Sequence, residues 1–277
     1  MNAVKLFKKN ASTTELKSAS AIEKSSRVVG VLGAKGGVGA TTISINLAAA
    51  FALHTHSRVA LFDANLQQPD AACLLNRLPR YSLLDLARRS ALDGEIIAAC
   101  AEQIYLDNNK SAGKMFGLYS PPLEANLALQ FPSGDLLRLL SLMKKQDGTV
   151  VVDLPRTISR ELVSMLDLCD SVILVVEPTV TALAAARRWF EIFKDLEFES
   201  DQVITVLNRS GGKLKEIEKQ LSMDLGGFPL LRVPNAYEVC ESASIEGVPA
   251  LVKYPRQGFS KGITEIFQFC QSVVREV

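Results

Sequence analysis

The fold of this chain is decided by the stretch VVGVLGAKGGVGATT, residues 28–42, together with the apolar run ISINLAAAFAL, residues 43–53, that follows it. Its first five residues are apolar and predict a buried strand, and the Ala-rich run predicts a buried helix. Between them, glycines let successive backbone N–H groups turn inward around an anion, and the helix start adds partial positive charge. A strand, a glycine turn and a helix in this order predict a phosphate-binding loop.

This loop departs from the usual pattern, which ends Gly-Lys-[Ser/Thr], because Ala40 holds the lysine position and a lysine stands early, at Lys35. Two threonines open the helix; one hydroxyl can reach a magnesium ion and the other a phosphate oxygen. The residues predicted to bind the phosphates are Gly36, Gly37, Val38, Gly39, Ala40, Thr41 and Thr42. The alternative is a glycine turn that only joins a strand to a helix.

Two further apolar runs end in an acid. RVALFD ends at Asp63 and TVVVD ends at Asp153. Ligands of doubly wound sheets gather at the carboxyl ends of the strands, so both acids are expected near a bound triphosphate and its metal. The metal ligands predicted are Thr41 and Asp153. The alternatives are that Asp63 caps a helix or turn and that Asp153 simply closes a strand. Arg156, just beyond, is either a sensor of the terminal phosphate or a solvated side chain.

Composition limits the classes of function. The chain has 277 residues, 48% of them apolar, which is enough for one large or two small α/β domains. Its formal net charge of +1 argues against a strongly basic nucleic-acid binder, though not against a local basic patch. The five scattered cysteines form no CxxC pair or Cys/His cluster, which supports neither a disulfide framework nor a zinc site and favours a reducing cytoplasm. No apolar run reaches membrane-spanning length.

The chain divides into two parts. Residues 1–26 are rich in Ser, Thr, Ala and Lys and predict a flexible basic tail, the alternative being a weak membrane-surface or docking peptide. In residues 27–277, strands alternate with helices, which predicts a doubly wound α/β domain with a mostly parallel sheet and helices on both faces. The spacing of apolar residues also predicts helices over 96–104 and 259–277.

These motifs, in this order, resemble the ParA/MinD superfamily over residues 27–277. The resemblance implies a phosphate-loop ATPase fold with ATP and Mg²⁺ as ligands. It implies that Lys35 reaches across a homodimer interface to the partner's nucleotide, and that Asn208 and Arg209 contact the base. The family's switch I reads DxD, and its second acid places the metal and the attacking water; here Asn65 stands at that position. The catalytic positions carried over are Lys35, Asp63, Asn65 and Asp153.

Within the superfamily, the chain is most similar to the CpaE/TadZ proteins of Flp (tight-adherence) pilus assembly. The similarity lies in GAKGGVGATT at 33–42, in the string DANLQQPDAA at 63–72 and in VVVDLPR at 150–156. That branch tolerates loss of the loop lysine. It usually carries an N-terminal receiver-like domain, and the predicted tail takes that place here.

The resulting functional prediction is an ATP-binding protein that forms a homodimer in its ATP state, with weak or absent hydrolysis. It would localise or scaffold a cell-envelope machine such as the Flp pilus, working with pilus or envelope-assembly proteins. We expect a cytoplasmic protein recruited to the inner membrane face or the cell pole through those partners, without direct membrane insertion. The alternatives are a ParA-type DNA-partitioning ATPase and a relative of tyrosine kinases, for which the C-terminal tyrosine cluster is missing.

Overall fold

The computed structural model of the protein describes residues 26–107, 113–146, 148–211, 215–224 and 227–273. The predicted tail lies outside the described residues except for Ser26, and so do the last four residues of the helix predicted over 259–277.

The described strands form a single eight-stranded sheet. In chain order they are β1 (Arg27–Gly33), β2 (Val59–Asp63), β3 (Glu102–Tyr105), β4 (Met115–Tyr119), β5 (Thr149–Asp153), β6 (Ser171–Val176), β7 (Val203–Ser210) and β8 (Leu230–Pro234). In space the order is β3-β4-β2-β5-β1-β6-β7-β8. β3 pairs with β4 in the antiparallel sense, and the other pairings are parallel. The predicted mostly parallel sheet is therefore confirmed.

Helices cover both faces of the sheet. In chain order they are α1 (Ala40–His54), α2 (Asp70–Leu74), α3 (Leu83–Ala87), α4 (Gly94–Ala99), α5 (Ala125–Ala128), α6 (Asp135–Lys144), α7 (Arg160–Leu168), α8 (Val180–Asp195), α9 (Lys215–Asp224), α10 (Tyr237–Ile245), α11 (Ala250–Lys253) and α12 (Gly258–Ser272). None of these described helices is both long and apolar enough to cross a membrane. The doubly wound architecture predicted from the sequence is confirmed.

The central strand β1 supplies residues to two separate cores. Successive side chains of a strand point to opposite faces, so a strand covered on both faces needs an unbroken apolar run. Val28 and Leu32 belong to the core under α3, α4, α6, α7 and α8. Val29 and Val31 belong to the core under α1, α10, α11 and α12. This two-sided burial fixes the strand from which the glycine loop departs.

Helix α1 is buried from Ile43 to Ala52. It lies against α12, where the rings of Phe51 and Phe267 meet edge to face with centroids 5.0 Å apart. The buried Asn46 is satisfied on both sides, since its Nδ2 donates to the Thr42 carbonyl at 2.8 Å and its Oδ1 accepts from the Leu251 N–H at 2.8 Å. The helix that begins at the loop is therefore held by packing and by paired polar groups.

The helix predicted over 96–104 is wrong in its second half. Helix α4 ends at Ala99, and β3 begins at Glu102 and pairs with β4 at the edge of the sheet. Ile104 lies opposite Phe116 in that pairing and is buried. Short apolar runs do not separate helix from strand by their periodicity, and here pairing with β4 outweighs the local pattern.

Candidate functional site

The glycine loop runs from the carboxyl end of β1 to the start of α1. It is tied to the neighbouring strand by the N–H of Ala34, which donates to the Val175 carbonyl at 2.9 Å. Gly37 and Gly39 have φ values of +78° and +93°, in the left-handed region that favours glycine. Gly39 stands at the N-cap of α1, and no side chain of the described residues caps the helix there. The N–H groups of the first turn are thus open to an anion.

Asp63 and Asp153 lie side by side at the carboxyl ends of β2 and β5, in register with each other. Both are buried. Asp153 accepts hydrogen bonds from the start of α1, at 2.7 Å from the Thr41 hydroxyl to Oδ2 and 3.2 Å from the Ser44 hydroxyl to Oδ1. The structure therefore brings the predicted metal ligands into direct contact, Thr41 from the start of α1 and Asp153 from the end of β5.

Asn65 lies between the two acids. Its Nδ2 donates to Oδ2 of Asp153 at 3.1 Å, and its backbone N–H donates to Oδ1 of Asp63 at 2.9 Å. The other oxygen of Asp63 accepts from the Ala71 N–H at 3.3 Å. Asp63 thus braces the turn after β2 behind Asn65, whereas Asn65 and Asp153 line the open cavity.

The buried acids carry raised pKa values. Burial, and then repulsion from Asp153, raises the pKa of Asp63 well above its ordinary value. Burial raises the pKa of Asp153 to about 6, against hydrogen bonds from Thr41 and Ser44 that act to lower it. Hydroxyl and carboxylate oxygens are ligands that suit Mg²⁺, which is commonly held by one or two carboxylates together with phosphate oxygens. A divalent cation on Asp153 would stabilise the ionised form that burial disfavours, so the residues fit such an ion.

Lys35 forms an ion pair with an acid of its own chain. Its Nζ lies 2.9 Å from Oε1 of Glu177 and 3.4 Å from the Thr181 hydroxyl. Glu177 also accepts from Nη1 of Arg209 at 2.9 Å through Oε2. One carboxylate at the end of β6 therefore holds two of the predicted site residues, Lys35 and Arg209.

The predicted base-contacting residues close the other end of the loop. Nδ2 of Asn208 donates to the Val38 carbonyl at 2.8 Å, and the side chain is buried. Arg209 follows with φ of +57°, a left-handed conformation uncommon for a residue with a side chain. Asn208 and Arg209 border a second cavity of about 280 Å³ beyond Gly39.

A cavity of about 490 Å³ lies over the loop. The predicted residues on its wall are Lys35, Gly36, Gly37, Val38, Gly39, Ala40, Thr41, Thr42, Asn65, Asp153 and Arg209. Gln68, Asp70 and Arg156 line it as well. Sequence reasoning missed Ser44 and Glu177. Ser44 lies three residues beyond Thr41, and helix periodicity places the two on the same helix face. Glu177 follows a buried strand, and ligands of such sheets gather at the carboxyl ends of the strands. Both residues could have been found from these signals.

A glycine loop between a central parallel strand and a buried helix, with a threonine held on the aspartate of a neighbouring strand, defines a phosphate-loop nucleotide-binding protein. Residues 29–248 match the CobQ/CobB/MinD/ParA nucleotide binding domain. The chain belongs to this family, as the resemblance to the ParA/MinD superfamily predicted. The narrower CpaE/TadZ assignment stays a prediction.

Known relatives share most of the chain's length. An uncharacterized ATP-binding protein of Methanocaldococcus jannaschii is 23% identical over 240 residues, which is 86% of this chain and 85% of that protein. The crystal structure of a ParA family ATPase from Chlorobium tepidum superposes with a TM-score of 0.76 at 22% identity, covering 87% of this chain and 98% of that one. The septum site-determining protein MinD of Pyrococcus horikoshii, complexed with Mg-ADP, has a TM-score of 0.70 at 18% identity, covering 90% and 96%. At these identities the two structures establish the shared fold.

Proposed function

We propose that this protein binds MgATP over the glycine loop and acts as a nucleotide-dependent switch with slow turnover. The observation that carries the proposal is the Thr41 hydroxyl held at 2.7 Å on the buried Asp153, beside a cavity onto which the free N–H groups of α1 open. Thr41 and Asp153 would hold Mg²⁺, and residues 36–42 would hold the phosphates. The ion supplies charge stabilisation for the phosphates when it is bound.

The base would lie beyond Gly39. An Asn side chain offers both a donor and an acceptor, which suits the edge of adenine. Nδ2 of Asn208 is engaged with the Val38 carbonyl, so we assign its Oδ1 as the acceptor for the base; Asn208 and Arg209 both border this cavity. The wall formed by Asn235, Tyr237 and Cys240 completes a space beside the loop for the nucleoside.

Slow turnover follows from two positions. Ala40 supplies no cation against the phosphates, and Asn65 supplies no carboxylate to control the attacking water. Catalysis of phosphoryl transfer depends mainly on positioning and on charge stabilisation, and both are reduced here. The backbone cradle, Thr41 and Asp153 remain, so binding should survive where catalysis is weak.

The cellular role we propose is a cytoplasmic scaffold or localisation protein for an envelope machine such as the Flp pilus. It would dimerise with ATP, with Lys35 of each chain on the partner's nucleotide, and reach the inner membrane through protein partners. The support is the set of motifs shared with the CpaE/TadZ branch. The near-neutral net charge of +1 makes DNA partitioning the weaker alternative.

Two measurements test the proposal. Calorimetric titration with MgATP should give saturable binding in the wild type, at least tenfold weaker in Thr41→Ala, which removes a proposed ligand of the metal. Ser57→Ala, a serine outside the site, is the matched control and should bind like the wild type. No saturable binding by the wild type would refute the nucleotide role.

For the cellular role, affinity purification from the native host should recover envelope-assembly proteins. Recovery of chromosomal DNA and partition proteins instead would favour the alternative.

A further inference from the structure

Three basic side chains line the cavity among the described residues: Lys35, Arg156 and Arg209. Lys35 and Arg209 are both held by the carboxylate of Glu177. Arg156 forms no ion pair with any described residue; its Nη2 donates to the neutral Gln68 side chain at 3.2 Å. Within the described part of the chain, Arg156 is therefore the basic side chain of this cavity that has no acidic partner.

The guanidinium of Arg156 lies directly against the glycine loop. A Cβ built on Gly36 would overlap Nη1 of Arg156, whereas a Cβ built on Gly39 would overlap Nδ2 of Asn208. The two glycines thus meet residues from the two sides of β1, since Arg156 follows β5 and Asn208 lies on β7. If the base lies toward Asn208, as proposed above, Arg156 lies at the end of the loop where the β- and γ-phosphates would bind.

The backbone holds Arg156 in this position. Arg156 follows β5 after Leu154 and Pro155, and the Leu154 N–H donates to the Val31 carbonyl of β1 at 2.9 Å. Pro155 restricts the chain between that anchor and Arg156. Gln68 lies in the loop that follows β2, and β2 pairs with β5. Loops from two neighbouring strands therefore bring the guanidinium and its amide partner over Gly36.

We propose that Arg156 supplies, from within the same chain, a cation for binding the phosphates in place of the lysine absent at position 40, while the missing switch acid at Asn65 still limits turnover. The planar guanidinium can donate two parallel hydrogen bonds to phosphate oxygens, which a lysine cannot do. The inference rests on the proposed nucleotide site and makes a narrower claim. It predicts that preference for a nucleoside triphosphate over a monophosphate depends on Arg156.

The test is calorimetric titration of the full chain with Mg²⁺ and either AMP-PNP or AMP. Arg156→Gln should weaken AMP-PNP binding by about tenfold or more, the range for loss of a charge-assisted hydrogen bond, and leave AMP affinity within about twofold. Adding Ala40→Lys to that variant should restore much of the AMP-PNP affinity. Arg188→Gln, an exposed arginine on α8, is the matched control and should match the wild type.

Unchanged AMP-PNP affinity in Arg156→Gln, or equal losses for AMP-PNP and AMP, would overturn the inference and leave the nucleotide site standing. A wild type that binds neither ligand would overturn both. Thermal unfolding by circular dichroism checks that the variants fold. If Arg156→Gln does not fold, Arg156→Lys replaces it, with intermediate AMP-PNP affinity expected and unchanged affinity contradicting the role of the guanidinium fork.

Discussion

Nζ of Lys35 lies 2.9 Å from Oε1 of Glu177, so the lysine predicted to cross a dimer interface is held within its own chain. Burial acts to raise the pKa of Glu177, but Lys35 and Arg209 outweigh it and the pKa is lowered. The carboxylate is thus ionised at neutral pH and attracts Lys35 while the chain is alone. Formation of the proposed dimer would exchange this ion pair for a contact with the partner's nucleotide.

Glu177→Gln should therefore favour the ATP-dependent dimer, because it weakens the competing pair without removing Lys35. Lys35→Ala should weaken the dimer more than it weakens nucleotide binding by the monomer. Analytical ultracentrifugation with and without MgATP measures both effects, with Lys194→Ala, on the exposed side of α8, as the control. A wild-type chain that stays monomeric in saturating MgATP contradicts the proposed interface.

Stability of the metal-free protein should fall as pH rises from about 4 to about 6. The unfolded Asp titrates near 3.9, and in the folded chain the pKa of Asp153 is raised to about 6. Between these values the native state binds the extra proton, so raising the pH reduces the free energy of unfolding, by about 3 kcal/mol for this group. The raised pKa of Asp63 acts in the same direction.

Urea unfolding in EDTA at several pH values measures this slope. Asp153→Asn should flatten it, whereas Asp201→Asn, an exposed acid outside the site, should leave it unchanged. Identical slopes in the wild type and Asp153→Asn would show that the site acid does not control the pH dependence.

Alanine substitutions at two glycines of the loop distinguish the cost of backbone strain from the cost of a side-chain clash. Gly37 and Gly39 both have positive φ, but a Cβ on Gly37 meets open space, whereas one on Gly39 overlaps Asn208. Gly37→Ala should cost about 1–2 kcal/mol of unfolding free energy, the left-handed penalty. Gly39→Ala should cost more and also weaken nucleotide binding, since it pushes Asn208 away from Val38. Equal losses in the two variants would show that the Asn208 contact is unimportant.

The fold could be predicted because the pattern of apolar residues within each segment is enough to identify it as a strand or a helix. Val28 to Leu32 is apolar without a break, and a strand with that pattern must be buried on both faces. Asp63 and Asp153 could be predicted together because both end such strands. The edge strand β3 was missed, since its identity depends on pairing with β4 and not on its own residues.

The pairings inside the site could not be predicted in the same way. Lys35 and Glu177 are far apart in the sequence and meet because β6 lies beside β1 in the sheet. Arg156 reaches Gly36 because β5 lies on the other side of β1. Strand order decides both contacts, and strand order follows from how all the segments pack together.

Restoring the two missing groups should raise turnover. Ala40→Lys combined with Asn65→Asp replaces the loop cation and the switch acid, and we expect at least tenfold faster phosphate release. In the wild type, Asn65 donates a hydrogen bond to Asp153. A carboxylate at position 65 would instead repel Asp153, so the double variant should be less stable without Mg²⁺ than with MgATP. The single variant Ala40→Lys is the control that keeps the Asn65 contact.

The central claim is that the wild-type chain binds MgATP but turns it over slowly. It is tested most directly by measuring nucleotide binding and steady-state phosphate release on the same wild-type preparation. We predict saturable binding of MgATP with turnover below about 1 s⁻¹, the low end of the usual enzyme range. Turnover well above that rate would contradict the claim of slow hydrolysis, and the absence of binding would contradict the nucleotide site itself.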